Sequence, residues 1–197
     1  ELPGFSATKI ENKVGLRIMQ NADLVFDNVR VPESDRLPGG DGFDKANELL
    51  LDSRAWVGWQ AVGLAHAALD DARSYAVTRR QFDKPLAKFQ LVQQQIADIA
   101  GNATAAMGMM IQMARLQDDG RLKMAQAAMA KATATRLTKE AVALNRDLHG
   151  GNGLVTEPGH IASKLWADAE ILHTYEGTYS INSLIVGRAL TGFSAFV

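Results

Sequence analysis

One short segment of the sequence has the residue types and spacing of a metal site. Residues 157–160 read Glu-Pro-Gly-His, which formally matches the Glu-x-x-His motif of helical bundles that bind pairs of metal ions. In that motif both ligands project from one face of a helix, and a proline followed by a glycine destroys the helical spacing. We therefore expect no metal site in this segment. We expect packing or polar-surface roles for three further histidines: His66, His149 and His173.

Several other catalytic arrangements find no support in the sequence. It contains 0 cysteines, which excludes disulfides, thiolate metal sites and a cysteine nucleophile. Neither a Ser-His-Asp order nor a Walker-type phosphate loop occurs, so acyl hydrolysis and phosphoryl transfer lack support. The 21 basic and 22 acidic residues nearly cancel. The chain as a whole is therefore not attracted to nucleic acid or to an anionic membrane surface.

A second candidate for chemistry is Glu176, which stands just before a helix predicted to begin near Thr178. A carboxylate at this position is a common feature of helix N-termini, because the helix dipole favours negative charge there. A carboxylate removed from water is also a suitable proton acceptor. Desolvation raises the pKa of a glutamate from about 4.3 toward neutral pH. These residues alone favour the structural role, so the surrounding sequence must decide.

The elements that position these residues are predominantly helical. Apolar periodicity and a scarcity of breakers predict helices at about 43–80, 89–118, 122–148, 159–170 and 178–190. Long helices joined by short links are typical of an antiparallel four-helix bundle, so the predicted fold class is mainly α. One apolar stripe on the second helix fits a bundle core or a subunit interface, and we expect the core: Val92, Ile96, Ile99, Ala103, Ala106, Met110 and Met113.

The first forty residues have a different pattern. Val14 to Met19 and Asp23 to Val31 mix β-branched with polar residues and predict two strands, with turn-forming asparagines beside them. Two strands alone do not form a stable sheet in water. We therefore expect their partners to lie outside this sequence or among the helices.

Five motifs together resemble the C-terminal part of the acyl-CoA dehydrogenase family. They follow one another in the family's order and at its spacing over nearly the whole chain: residues 79–86, 89–93, 148–153, 175–178 and 185–188. Within the family, the nearest resemblance is to glutaryl-CoA dehydrogenases and to short-chain acyl-CoA oxidases of the plant peroxisomal type. Four segments carry this closer resemblance: residues 11–17, 35–39, 174–179 and 191–196.

The resemblance implies a domain organisation. Enzymes of this family have an N-terminal helical domain, a middle β domain and a C-terminal four-helix bundle. It follows that residues 1–38 are the end of the middle β domain and residues 39–197 the helical bundle. The sequence then resembles a C-terminal fragment, which we expect to be inactive by itself.

The resemblance also implies the reaction and the role of Glu176. The family removes a proton from the α-carbon of an acyl-CoA thioester while a hydride leaves the β-carbon for FAD. Glu176 matches the catalytic base of this reaction. In some members the base is on the first bundle helix, where this chain has Ser53, which cannot replace a carboxylate. The implied substrate-binding residues are Arg54, near the thioester, and the two neighbours of the base, Tyr175 and Gly177.

Contacts to FAD carry over in the same way. Arg79 and Gln81 resemble residues that reach the phosphates, for which a guanidinium fork is suited. The remaining implied contacts are the adenosine wall (Phe82, Phe89 and Gln90), the glycine turn (Asp147, Leu148, His149, Gly150 and Gly151), and two positions after the base (Thr178 and Phe196). Asp83 departs from the family, since many members have glycine there, and this departure puts the local turn geometry in question.

The resemblance finally implies partners and a location. The substrate would be an acyl-CoA, and the electron acceptor either electron-transfer flavoprotein or O2. Flavin contacts are shared between subunits in the family, which implies a homotetramer built as a dimer of dimers. The location would be cytoplasmic in a bacterium, or the mitochondrial matrix or peroxisome in a eukaryote, with no membrane span. Two alternatives remain open: an oxidase that uses O2, and a non-catalytic bundle that retains only the fold.

Overall fold

The computed structural model describes residues 2–40 and 42–195, which form a short β ribbon followed by helices. The ribbon pairs β1 (Phe5–Lys9) with β2 (Ala22–Phe26) in antiparallel register, with Phe5 opposite Phe26. The helices are α1 (Phe43–Thr78), α2 (Gln90–Asp118), α3 (Met124–Leu148), α4 (Ala162–Thr174) and α5 (Tyr179–Thr191). A small hairpin between α1 and α2 contains β3 (Arg80–Gln81) and β4 (Lys84–Pro85). The mainly α prediction is confirmed.

The predicted strand at Val14 to Met19 is wrong. This segment consists of turns, and Leu16 has a left-handed backbone conformation with φ 41°. The backbone N–H of Leu16 donates to the Asp168 carboxylate of α4 over 2.6 Å, so the segment binds a helix rather than a strand. The true partner of β2 is β1, whose five residues are all exposed and therefore show no burial alternation. The second predicted strand exists, but it ends at Phe26 and not at Val31.

Two core clusters show that successive long helices run in opposite directions, α2 antiparallel to α1 and α3 antiparallel to α2. The N-terminal half of α1 packs against the C-terminal half of α2 and the N-terminal half of α3, around Val57, Met110 and Ala134. The C-terminal half of α1 packs against the start of α2 and the end of α3, around Ala72, Ile99 and Ala141. The prediction that the α2 stripe faces the core is confirmed, because five of its residues are buried and the other two pack against the core.

Alanine allows the long helices to approach closely. Twelve alanines of α1, α2 and α3 are fully shielded from solvent: Ala61, Ala65, Ala68, Ala72, Ala76, Ala103, Ala106, Ala127, Ala128, Ala130, Ala134 and Ala141. At one crossing Thr138 Oγ1 of α3 donates to the carbonyl oxygen of Ala61 in α1 over 2.8 Å. Such a side chain to backbone bond between helices requires small neighbours. The alanine-rich composition therefore determines how tightly α3 lies against α1.

The two short helices lie against α3 and flank a tight loop. Thr178 caps α5, since its hydroxyl accepts from the backbone N–H of Ile181 over 3.3 Å. Gly192 ends the helix in the left-handed conformation, with φ 79°. The predicted helix at 159–170 begins and ends later, at Ala162 and Thr174, because Pro158 and Gly159 form a turn before it. None of the helices in the described residues is long and apolar enough to cross a membrane.

Candidate active site

Glu176 lies in the loop between α4 and α5, in an unusual backbone conformation. Its φ is 55° and that of Gly177 is 84°, so two consecutive residues are left-handed. For a residue with a Cβ atom this conformation costs about 1–2 kcal/mol. A side chain at Gly177 would be strained by this φ and crowded, because a Cβ there would lie 3.0 Å from Asn182 Nδ2. The loop therefore depends on its surroundings to keep this shape.

The first helix supplies two contacts to Glu176. Ser53 Oγ donates to the carboxylate Oε2 over 2.7 Å, and Arg54 Nε donates to the Glu176 backbone carbonyl over 3.3 Å. Arg54 is buried, and its pKa is lowered by that burial while the charge of Glu176 acts in the opposite direction. Ser53, which cannot itself act as a carboxylate base, thus donates a hydrogen bond to the half-buried Glu176 carboxylate.

The last helix holds the loop from its other side. Asn182 is fully buried, and its Nδ2 lies within hydrogen-bond distance of three successive carbonyls: 3.4 Å from Glu176, 2.8 Å from Gly177 and 3.1 Å from Thr178. One amide therefore fixes the direction of the chain as it enters α5. The sequence analysis did not single out Asn182, because a lone asparagine one turn into a helix carries no motif.

A lysine of α3 lies beneath the same loop. Lys131 is fully buried, and its ammonium donates to the carbonyl oxygens of His173 over 3.0 Å and of Gly177 over 2.7 Å. Burial, followed by the charge of Arg54, lowers the pKa of Lys131 to about 8, while the charge of Glu176 acts in the opposite direction. Lys131 was also missed, since a lysine among alanines is typical of a solvated helix position.

Tyr175 and His173 complete the surroundings of Glu176. The Tyr175 hydroxyl donates to Gln60 Oε1 of α1, and burial raises the pKa of this phenol, as does the charge of Glu176. His173 stacks on Tyr179 at 5.3 Å between ring centroids. Burial lowers the pKa of His173, as do the charges of Lys139 and Lys131. The packing role expected for His173 agrees with these contacts.

An apolar pocket opens beside Ser53. Its volume is about 440 Å³, and residues of α1 supply most of its wall, with Leu49, Trp56 and Trp59 as the apolar part. Ser53 is both a wall residue of this pocket and a hydrogen-bond donor to Glu176. Ser53 therefore connects the carboxylate to a space in which an apolar group could be held.

A second cleft of about 310 Å³ lies at the far end of α3. Six of the residues predicted to bind cofactor line it: Arg79, Gln81, Leu148, His149, Gly150 and Gly151. Gly150 has a φ of 57°, and a Cβ on it or on Gly151 would meet no atom within 4 Å. The turn therefore presents bare backbone to the cleft, with the exposed guanidinium of Arg79 at its rim.

Buried polar contacts hold the glycine turn in place. The His149 ring stacks on Tyr75 at 3.9 Å between centroids, and its Nε2 lies 3.4 Å from the Asp71 carboxylate. Asn152 Nδ2 donates to the Tyr75 hydroxyl over 2.9 Å. Gly153 packs so closely on α3 that a Cβ would lie 2.1 Å from the carbonyl oxygen of Arg146. This side of the cleft is consequently well ordered by its own contacts.

The hairpin beside the cleft resolves the question raised by Asp83. Phe82 and Asp83 are the two turn residues, with φ values of 48° and 60°, which is the conformation of a two-residue type I′ hairpin turn. Aspartate tolerates this region better than most residues. The turn geometry is therefore the one that a glycine would adopt. The Phe82 ring lies edge-on to Phe89 at 6.2 Å between centroids.

Five of the predicted cofactor residues lie away from the cleft wall, and a sixth lies outside the described chain. Phe82, Phe89 and Gln90 surround the hairpin and the start of α2, and Thr178 caps α5 beside Glu176. Asp147 faces the groove between α2 and α3, where its carboxylate accepts from Gln95 Nε2 over 3.1 Å. Phe196 lies outside the described residues.

No metal cluster accompanies these sites. Among residues 2–40 and 42–195, no group of three His, Asp or Glu side chains is arranged to hold an ion. The Glu157–His160 segment forms a turn, in which the His160 N–H donates to the Glu157 carbonyl over 3.1 Å. A second Glu-x-x-His pair, missed in the sequence, lies on α4, but Glu170 pairs with Lys139 at 2.8 Å and His173 Nδ1 faces Thr135 at 3.2 Å.

The two sites lie at opposite ends of α3. Lys131 of α3 contacts the Glu176 loop, and Leu148 of the same helix lines the cleft. Because a helix rises 1.5 Å per residue, these two residues are about 25 Å apart along the helix axis. The structure therefore brings the predicted residues together as two groups, one around a carboxylate and one around a glycine turn.

Sequence comparison identifies the family to which this arrangement belongs. A family model described as acyl-CoA dehydrogenase, C-terminal domain, matches residues 40–191. The chain belongs to the acyl-CoA dehydrogenase family. The resemblance inferred from the motifs is thereby confirmed.

Similar proteins of known description include enzymes acting on different thioesters. The short-chain specific acyl-CoA dehydrogenase of Megasphaera elsdenii is 37% identical over 193 residues, covering 95% of this chain and 49% of that protein. A subunit of the caffeyl-CoA reductase–Etf complex of Acetobacterium woodii is 33% identical over 188 residues, covering 95% and 49%. The glutaryl-CoA dehydrogenase of Mycobacterium smegmatis, solved in complex with FADH2, superposes with a TM-score of 0.94 at 32% identity, covering 100% and 50%. The chain thus spans about half the length of these acyl-CoA dehydrogenase relatives.

Proposed function

We propose that this chain contributes the catalytic base to a flavin-dependent enzyme that removes two hydrogens from an acyl-CoA thioester. Glu176 would take the proton from the α-carbon, and FAD, when bound, would accept the hydride from the β-carbon. The observation that carries the proposal is the half-buried Glu176 carboxylate, which accepts a hydrogen bond from Ser53, a residue that lines an apolar pocket. A surface carboxylate that only caps a helix would need none of these contacts.

The residues around Glu176 support specific roles in this reaction. The guanidinium of Arg54 and the ammonium of Lys131 supply two buried positive charges beside one carboxylate. A cationic surplus near the thioester stabilises the negative charge that develops on it as the proton leaves. Tyr175 and Gly177 flank the base, and we propose that both contact the substrate.

We propose that the cleft at the glycine turn holds part of FAD. The bare backbone of Gly150 and Gly151 allows close approach of a phosphate, and the Arg79 guanidinium is a suitable partner for phosphate oxygens. Gln81, Leu148 and His149 share this cleft. The related glutaryl-CoA dehydrogenase solved with FADH2 supports the choice of flavin.

We propose further contacts to FAD outside the cleft wall. An adenosine wall would consist of Phe82, Phe89 and Gln90 around the hairpin, and Asp147 would belong to the glycine turn. Thr178 and Phe196 would contact the flavin after the base. These assignments rest on the match between this sequence and the family's motifs.

The distance between the two groups of residues supports an assembled enzyme. The cleft of this chain lies about 25 Å along α3 from the Glu176 loop. A second copy of the chain could place its own cleft closer to that loop, so that the base and the cofactor act on the same substrate. We therefore propose a homotetramer, built as a dimer of dimers, in which one chain supplies the base and another completes the flavin site.

The acyl group and the electron acceptor are proposed from the relatives. A short-chain or glutaryl-type acyl-CoA agrees with the names of two similar enzymes. Electron-transfer flavoprotein is the proposed acceptor, since one relative is named as part of a complex with Etf. We also propose that residues 1–38 belong to a separate β domain and residues 39–197 to the bundle, because the exposed β1–β2 ribbon is too small to be stable alone.

The decisive experiment is Glu176→Gln in the flavin-loaded enzyme. Glutamine keeps the shape of the side chain but cannot accept the proton, so turnover of short acyl-CoA should fall by a factor on the order of 10²–10⁴ while the yellow colour remains. Glu170→Gln is the matched control, since Glu170 lies on the preceding helix and pairs with Lys139. Near-normal turnover by Glu176→Gln would assign the base to another residue.

A further inference from the structure

Lys131 is buried without a salt bridge among the described residues. Among the described residues, Lys131 is the largest whose side chain is fully shielded from solvent, and it lies in α3 between Ala130 and Ala132. Removing an ammonium group from water is costly unless hydrogen bonds compensate. The compensating bonds show what this lysine does.

Both bonds of Lys131 go to the ends of the Glu176 loop. The His173 carbonyl belongs to the last turn of α4, where carbonyls lack helical partners. The Gly177 carbonyl precedes α5. One ammonium therefore ties the chain before Glu176 to the chain after it, through bonds that are strengthened by the positive charge.

The other contacts to the loop act on one side of it only. Arg54 reaches the backbone carbonyl of Glu176, and Asn182 reaches three carbonyls from residue 176 onward. Among the hydrogen bonds of the described residues, only those of Lys131 join the end of α4 to the start of α5. Without them, the left-handed Glu176 backbone would lose the hydrogen bonds that join the two helix ends, and only contacts such as the stacking of His173 on Tyr179 would remain between them.

We propose that Lys131 is a positioning residue for Glu176. By holding one carbonyl on each side of the loop, it fixes the direction of the carboxylate toward the α-carbon of the substrate. Lys131 itself does not touch the reacting atoms. This inference rests on the proposed function, because it assumes that Glu176 is the base.

The kinetic test is Lys131→Met in the flavin-loaded enzyme. Methionine is unbranched and can occupy the same space without the charge or the donors. A misplacement of about 1 Å lowers a rate on the order of 100-fold, so we expect kcat to fall by between about 10-fold and 100-fold with KM for acyl-CoA changed by less than about threefold. Lys139→Met is the matched control on the same helix, because Lys139 pairs with Glu170 and not with the loop. Its kcat should stay within about twofold of the wild-type value.

The second readout, hydrogen exchange, does not depend on activity. Amides 174–178 should exchange faster in Lys131→Met than in the wild type or in Lys139→Met, while amides of α2 keep their protection. Unchanged exchange at 174–178, together with a kcat like that of the control, would overturn the inference. If exchange rises as expected but Glu176→Gln remains active, the role of Lys131 in holding the loop stands and the proposed function fails.

A second substitution guards against a simple folding defect. Lys131→Gln keeps one amide donor but is too short to reach both carbonyls, so it should show the same faster exchange at 174–178 in a smaller degree. If neither variant yields folded protein, Lys131 serves folding as a whole and the positioning role is refuted.

Discussion

Two cations and one carboxylate meet beneath the loop that carries the proposed base. Arg54 and Lys131 are both buried, and the charge of Glu176 raises the pKa of each. The charge of Arg54 lowers the pKa of Lys131. Together, the two cations and the one carboxylate carry one net positive charge. Such a surplus is useful where negative charge develops on a substrate, but it is unfavourable in the resting protein.

The burial of Lys131, together with the charge of Arg54 beside it, predicts how stability depends on pH. The pKa of Lys131 is lowered to about 8 in the folded chain, against about 10.4 for a lysine in an unfolded one. Between these values the unfolded chain binds more protons, so this lysine makes the free energy of unfolding rise with pH. The penalty of burying the charge is full below pH 8 and is relieved on approach to about pH 10.4. The charged groups that act on Lys131 are Arg54 on α1, which lowers its pKa, and Glu176 in the loop, which raises it.

Urea unfolding of the wild type and of Lys131→Met from pH 7 to pH 10.5 measures this contribution. Other titrations cancel in the difference between the two proteins, so the wild type should gain stability relative to the variant as the pH rises. A difference that is constant over this range would show that Lys131 is not destabilised by its burial.

At the residue scale, the sequence singled out Glu176 and the glycine turn, whose roles remain predictions, but not the residues that hold the Glu176 loop. Glu176 and Gly150 belong to motifs that can be read in order along the chain. Lys131 and Asn182 act through backbone carbonyls that are remote in sequence. A pattern search cannot identify such donors, because their partners are peptide groups, which every residue has.

At the scale of elements, one tight contact joins the N-terminal segment to the bundle. A Cβ on Gly15 would lie 2.4 Å from the carbonyl oxygen of Ala167 in α4, and the next residue, Leu16, binds Asp168. Asp168 also pairs with Lys164 on the same helix. The segment before β2 is therefore attached to α4 by backbone contacts that leave no space for a side chain.

Gly15→Ala should weaken this attachment. Overpacking against a helix backbone typically costs about 1–3 kcal/mol, and we expect a decrease of that size in the free energy of unfolding measured with urea. Gly63→Ala is the control, because Gly63 lies within α1 and a methyl group added there would meet no atom within 4 Å. The control should be neutral or stabilising by up to about 1 kcal/mol. Equal stability of Gly15→Ala and the wild type would mean that the segment does not depend on this contact.

The predictions were accurate for helices in which an apolar pattern repeats over many turns, and they failed for short segments. Helices α1 to α3 span many turns, so their apolar stripes located them to within a few residues. The strand predicted at Val14 to Met19 is wrong, because this segment, whose apolar and polar residues alternate, packs on α4 instead of pairing with a strand. Strand β1 has five exposed residues, which gave no pattern to detect.

At the scale of the whole molecule, much apolar surface is left uncovered. The most exposed large residues include Ile18 at 88%, Phe82 at 83% and Phe193 at 81%. Because the chain spans about half the length of its relatives, such surface is where we propose that further domains and subunits pack.

The 197-residue chain expressed alone should therefore fold as a helical bundle but bind FAD poorly. Its core clusters are complete within the chain, whereas the proposed flavin site requires more protein. Circular dichroism should show a cooperative loss of helix on heating, and flavin absorbance should give well under one FAD per chain. Stoichiometric flavin together with normal turnover would contradict the proposal that the site is shared.

The contacts around Glu176 also bear on the order in which the site is completed during synthesis. Ser53 and Arg54 come from the first helix, Lys131 from the third and Asn182 from the fifth. A nascent chain emerging from the ribosome therefore lacks a fully held Glu176 carboxylate until α5 has left the exit tunnel. Products truncated before α5 would contain helices α1 to α4 but would lack the Asn182 contacts that hold the proposed base.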